Sequence, residues 1–268
     1  MKKSKKQESI EDEIISLLSG KALVAAESIF AHPEIKAQQD YANIVSIKRL
    51  GFNDHGPVHM RTAALNSILM FNLLNEKNIK LNLETEDIAK NSDSLVAIVI
   101  AALLHDLGMT VTRDSHELIG IVIATKYIDE ILNKVYKASE LLIKVAVRSL
   151  ILEGIFGHMA NRKIHSIEAG LVLVGDGCDM EHGRARITTL LKNEPKPGDI
   201  HRYSASSIQK VSIMPGGEKP IKIDVKMTQS VGLFQIEEVL YPKILSSSIK
   251  PFIELYAQLR DETALRYL

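Results

Sequence analysis

From residue 11 onward, apolar positions recur at the 3.6-residue spacing of a helix, beginning with Ile14, Ile15, Leu17 and Leu18. The same spacing predicts a helix over 21–30, which stops ahead of His32-Pro33, and another over 34–50, which Gly51 ends. The turn Asn53-Asp54-His55-Gly56-Pro57 opens a long helix from Val58 to about Asn75. Residues 95–104, LVAIVIAALL, carry no polar side chain. They read as a buried helix that Asp93 or Ser94 caps and Gly108 ends. Asp114 and Glu117 stand at capping-box spacing before a helix over about 115–134, and helices follow over 137–153 and 164–180.

The pattern changes after Gly183. Residues 193–204, NEPKPGDIHRYS, form a polar loop. Ile208–Met214 and Ile221–Met227 then alternate with period two around a Pro-Gly-Gly turn, the signal of a β-hairpin. The helical period returns from Phe234 to about Leu259. The expected fold is mainly α, a helical bundle with a small β-hairpin before the C-terminal helix. Its expected parts are an N-terminal helical segment (1–34), a central helical domain (35–192), and a hairpin plus helix (193–268) packed on that domain.

Bulk properties narrow the function classes. The 268 residues are 46% hydrophobic and 25% charged, enough for a sizeable core. Lys+Arg and Asp+Glu each number 33, so no global basic field points to nucleic acid as a partner. The longest apolar run falls short of the roughly 20 residues that span a bilayer, so no membrane is expected. The start, MKKSKKQESIEDE, is basic but leads into acids and not into the apolar run of a secretory signal. Cys178 is the one cysteine, which excludes a disulfide framework and makes a cytoplasmic location the expectation.

The chemistry begins where the apolar run ends, in His105 and Asp106. A wet helix end is one explanation of that pair; a metal site at the edge of the core is the other. His55 and His59 lie four apart, on one face if the helix already runs there. His116 is 11 residues beyond His105, about 16 Å on a continuous helix, but Gly108 and the turn TVTRDS let the chain fold back. His158 and His165 are seven apart, and Asp176 sits inside the apolar stretch LVLVGDGCDM. Buried carboxylates need partners or a cation, and imidazole with carboxylate suits a divalent transition metal. None of these spacings is the H-E-x-x-H zinc signature. The bland readings are a buried cap for Asp176, pairing of Asp179 with Arg184 or Arg186, and core packing for Cys178. For the hairpin lysines the bland reading is a packing or dimerisation surface.

The ordered set His59, His105-Asp106 and Asp176, carried by NDHGPVHMR, AALLHDLGM, RDSHE and IEAGLVLVGDGCDMEHGRAR, resembles the HD superfamily of metal-dependent phosphohydrolases over roughly residues 40–190. The stretches HRYSASSIQKV and VGLFQIEEVLYPKIL resemble the appended part of an uncharacterised bacterial and archaeal HD subgroup. The resemblance implies His59, His105, Asp106 and Asp176 as ligands, with Asp106 able to bridge two ions. It implies His116 and His158 for a second ion, with His165 competing with His158 and His55 as an outer ligand. The implied cofactor is one or two divalent ions, Mn²⁺, Fe²⁺ or Mg²⁺.

The implied activity is hydrolysis of a nucleotide or related small phosphate ester, mono- or diester, by metal-activated water. Asp106, His116 and Asp179 are the expected catalytic groups, and Arg184, Lys163, Arg162 and Arg186 the expected phosphate contacts. A homodimer is the expected assembly. The GYP-type signature of cyclic-dinucleotide phosphodiesterases is absent after His158, as is the synthetase half of bifunctional alarmone enzymes. Two other classes stay open: a di-iron oxygenase of HD type, and a nucleotide- or nucleic-acid-binding regulatory module with a vestigial site.

Overall fold

The computed structural model describes residues 3–181 and 200–268; Arg184 and Arg186 lie outside the described residues. At the centre is the apolar helix, here α6 (Asn91–Leu104), in which every side chain from Val96 to Leu104 is buried. A helix that is hydrophobic all round is stable only when covered on all sides. Helices that pack on it include α2 (Gly20–Ala31), α4 (Pro57–Glu76), α7 (His116–Val135), α8 (Leu141–Gly157) and α9 (Ile167–Gly177). By length and composition the stretch Asn91–Thr110 could cross a membrane, but its apolar window is 94% buried inside the protein. Its burial is that of a core helix.

Around this centre, α1 (Lys5–Leu17) lies against α4, and α3 (Pro33–Ile44) continues through a wide-turned stretch, Val45–Leu50, to Gly51. Gly51 adopts φ +70°, a left-handed helix stop that glycine reaches without strain. Buried Arg61 ties three elements together. Its Nε donates to Glu11 Oε1 (2.5 Å) on α1, and Nη1 to Gln39 Oε1 (2.8 Å) on α3. Gln39 in turn donates to the carbonyl of Leu103 (2.8 Å), two residues before His105. A short helix, α5 (Asn82–Thr85), leads into α6.

Several boundaries differ from expectation. Asp114 does not cap α7; the N-cap is Ser115, at φ +54°, and the Asp114 amide instead donates to Thr112 Oγ1. α8 runs on to Gly157, so His158 ends that helix, and α9 starts only at Ile167. There Ser166 Oγ accepts from the Ala169 amide (3.0 Å), a conventional N-cap. His158 and His165 therefore do not share a helix.

After α10 (Ile200–Ser207), the expected hairpin forms, β1 (Ile208–Pro215) antiparallel to β2 (Ile221–Met227). The helical period expected to reach Leu259 ends earlier. Residues 233–246 form α11 (Leu233–Gln235), a wide-turned stretch Ile236–Leu240 and α12 (Tyr241–Ser246). Ile253–Leu259 is a strand, β3, parallel to β2, and β4 (Leu265–Arg266) closes a four-stranded sheet in the order β1-β2-β3-β4. Ile253, Leu255 and Ala257 alternate into the core, a period of two that a helix cannot use. Because β2 and β3 are parallel, the chain between them must cross over. That crossover lays α12 against α9.

Candidate metal centre

Five helices and their ends deliver one cluster of buried groups. α4 brings His59 in its first turn, the end of α6 brings His105 and Asp106, the start of α7 brings His116, the end of α8 brings His158, and the last turn of α9 brings Asp176. Two sets of three lie with one ligand atom each within 4.8 Å of one another: His59, His105 and Asp106, and Asp106, His116 and His158. Asp106 belongs to both. Its Oδ2 lies 3.2 Å from His59 Nε2 and 3.4 Å from His105 Nε2; its Oδ1 lies 3.1 Å from His116 Nε2 and 3.4 Å from His158 Nε2. Asp176 joins the first set, with Oδ1 3.1 Å from His59 Nε2.

The outer nitrogens of the rings decide what the inner ones can do. His105 Nδ1 donates to the Ala102 carbonyl (2.8 Å), His116 Nδ1 to that of Arg113 (2.9 Å) and His158 Nδ1 to that of Ile155 (2.7 Å). His59 Nδ1 donates to Asp179 Oδ2 (2.6 Å). A carbonyl or carboxylate only accepts, so each Nδ1 carries its ring's proton and each neutral ring presents a bare Nε2 inward. Those lone pairs face each other at 3.2 Å (His59 and His105) and 3.0 Å (His116 and His158). Asp106 Oδ2, fully buried, meets no hydrogen bond among the described residues. Opposed lone pairs and an orphaned carboxylate oxygen are costly unless a cation sits between them. The donor set fits a divalent metal, and the two groups of residues could each hold one.

The charge states of Asp106, Asp176 and His158 agree with that use. Burial alone would raise the Asp106 carboxyl, but the imidazoles around it, His105 foremost, hold it well below the usual carboxylate range. Asp176 is likewise held low against its burial, chiefly by the Lys243 ammonium. Burial depresses the His158 imidazole to about 4, which keeps its Nε2 unprotonated at neutral pH. His116 goes the other way: burial opposes its protonated form, but the Asp106 carboxylate outweighs burial and raises it.

Of the other candidates, some join this cluster and some do not. Asp179, just beyond α9, holds His59. His55 is buried beside His59, its Nδ1 donating to the Asn53 carbonyl (2.7 Å), and its ring lines a cavity of about 290 Å³ that reaches Asp106, His158 and Asp176. His165 is exposed in the turn before α9, outside the cluster. Lys163 is exposed too, and Arg162 turns to Glu117 (3.6 Å) and the Phe156 ring; neither lines the cavity. The cations that do line it are Arg113 and Lys243. Lys243 is a functional candidate that no sequence motif singles out. It is buried, donates to the His158 carbonyl (2.8 Å) and bonds Asp176 Oδ2. Its sequence signal is faint, one cation inside the apolar stretch Tyr241-Pro242-Lys243-Ile244-Leu245.

A mainly helical protein with a buried histidine–aspartate cluster able to bind metal is the class these observations define. The chain is 35% identical over 250 residues to the uncharacterized protein MJ1020 of Methanocaldococcus jannaschii, a match covering 93% of this chain and 94% of that protein. It belongs to the same family. No family model matches the sequence, and no solved structure matches it.

Proposed function

We propose that this protein is a metal-dependent phosphohydrolase of the HD type, acting on a nucleotide or related small phosphate ester. The observation that carries the reading is Asp106, whose two oxygens address separate pairs of histidines. That arrangement would let one carboxylate serve two divalent ions, each with its own histidines. His59, His105, Asp106 and Asp176 would hold one ion, and His116, His158 and Asp106 the other. Four imidazoles favour a transition metal such as iron over Mg²⁺, which prefers an all-oxygen set, while the two carboxylates keep Mn²⁺ a usable ion. Bound there, a divalent ion lowers the pKa of water and polarises a phosphoryl oxygen.

The chain's own groups prepare that chemistry. Asp179 keeps the His59 proton on Nδ1 and so keeps Nε2 a ligand. The carbonyls of Ala102, Arg113 and Ile155 do the same for His105, His116 and His158. The cavity beside Asp106 and Asp176 is small, which suits a compact ester and limits bulk water around the reacting phosphorus. Water adds across the ester P–O bond, leaving an alcohol and a phosphate.

Elemental analysis of the purified protein, followed by a panel of nucleotide mono- and diesters with Mn²⁺, tests the reading. Retained divalent metal and turnover, both lost in Asp106→Ala, are expected. Iron with redox-dependent absorption and no hydrolysis would point to oxygen chemistry instead. Absence of metal together with no turnover under any added divalent ion would overturn the proposal.

A further inference from the structure

The cavity beside the cluster has two walls of different origin. One is built by His55 in the turn before α4 and by the helix ends that carry Asp106, His158 and Asp176; the other comes from the crossover between β2 and β3, with Glu238, which is exposed at its rim, Val239, Pro242 and Lys243. Each origin supplies one cation, Arg113 from the turn before α7 and Lys243 from α12.

Neither cation is used up by the fold. The guanidinium of Arg113 meets His55 Nε2 (3.4 Å), Met109 Sδ and the Phe52 ring, none of them an anion. A half-buried arginine with no carboxylate partner among the described residues, placed on a cavity that also holds candidate metal ligands, is a site for an anionic guest. Lys243 is a buried ammonium with three donors, and two partners account for two of them, the His158 carbonyl and Asp176 Oδ2. Among the described residues the third has no partner and is left for a guest.

We propose that Arg113 and Lys243 together bind the phosphoryl group of the substrate, and that this pair selects a terminal phosphomonoester. Two positive side chains from independent elements match the double charge of a monoester better than the single charge of a diester. A cavity of about 290 Å³ has room for a group of about mononucleotide size. The pairing also gives the crossover a purpose: it brings a cation from the C-terminal segment to a site otherwise built from helices α4 to α9. This inference rests on the phosphohydrolase reading above.

The test uses the full chain loaded with Mn²⁺ and inorganic phosphate as the probe. Metal content is measured by elemental analysis and phosphate binding by calorimetry in wild type, Arg113→Met, Lys243→Met and Lys243→Arg. Loss of one charge-assisted contact is expected to weaken phosphate binding about tenfold or more in each Met variant, with metal content kept. Lys243→Arg is expected to restore part of the loss. Arg113 is only half-buried, so its variant keeps the test decisive if Lys243→Met fails to fold. Phosphate affinity within about twofold of wild type in a folded, metal-loaded Arg113→Met protein would overturn this inference alone. So would a metal-loaded wild type that binds no phosphate. A wild type that takes up no metal would instead remove the phosphohydrolase reading, and this inference with it.

Discussion

Asp179 Oδ2 lies 2.6 Å from His59 Nδ1, so a residue just past α9 orients the first histidine of α4. The carboxylate makes His59 a stronger base at Nε2 and fixes its ring toward Asp106 and Asp176. Asp179→Asn keeps the shape but replaces an anion by a neutral amide. Divalent metal affinity is expected to fall about 10–100-fold with little change in the circular dichroism spectrum. An unchanged dissociation constant would show that the contact does not tune the ligand.

The two histidine pairs make a stoichiometric prediction. Wild type is expected to retain two divalent ions per chain. His158→Ala, which removes a ligand of one group only, is expected to retain one, and Asp106→Ala none. Elemental analysis after gel filtration reads all three. Two ions retained by Asp106→Ala would contradict the bridging role.

Stability has its own acid dependence, away from the metal. Burial alone would raise the Glu11 carboxyl, but Lys3, Arg61 and Gln7 reverse that and hold it below its ordinary value. Because the folded-state pKa is the lower one, this contribution is complete above the unfolded value of about 4.3 and fades as pH falls through the folded one. Glu11→Ala leaves Arg61, only 1% exposed, without its anion and is expected to cost about 3–5 kcal/mol at pH 7. The Tm gap between wild type and Glu11→Gln is expected to narrow as pH drops from 6 to about 3.5. A constant gap would mean that the Glu11 charge contributes nothing.

Helices announced by a single long period, such as α4 and α6, were legible in the sequence, and with them His59 and the pair His105-Asp106. The choice between His158 and His165 was not. It turns on where α8 ends and on Ser166 as a cap, and spacing along one imagined helix cannot see a turn. Residues 253–259 alternate Ile253, Leu255, Ala257 and Leu259, a strand signal that the helical residues just before it obscured. Lys243 was the deepest omission. Its place beside Asp176 depends on the parallel pairing of β2 with β3, a contact between distant segments that no local pattern encodes.

The first metal group depends on how closely α4 and α9 approach, and one glycine sets that distance. A Cβ built on Gly175 would stand 2.1 Å from Ser67 Oγ and 2.9 Å from the Ala63 carbonyl oxygen. Around it, Asn66 Nδ2 donates to the Gly175 carbonyl (3.0 Å) and Ser67 Oγ to that of Leu171 (3.1 Å). Gly175→Ala must push α9 off α4, and Asp176 is the next residue, 3.1 Å from His59 Nε2. An overpacking cost of about 1–3 kcal/mol is expected, together with weaker metal binding, read by thermal melts and calorimetry on the same samples. Adding Ser67→Ala removes the hydroxyl but not the backbone contact, so it should restore only part of the loss. Gly217→Ala, where a Cβ meets nothing within 4 Å, is the neutral control. If Gly175→Ala melts and binds metal like that control, helix spacing is not what brings Asp176 to His59.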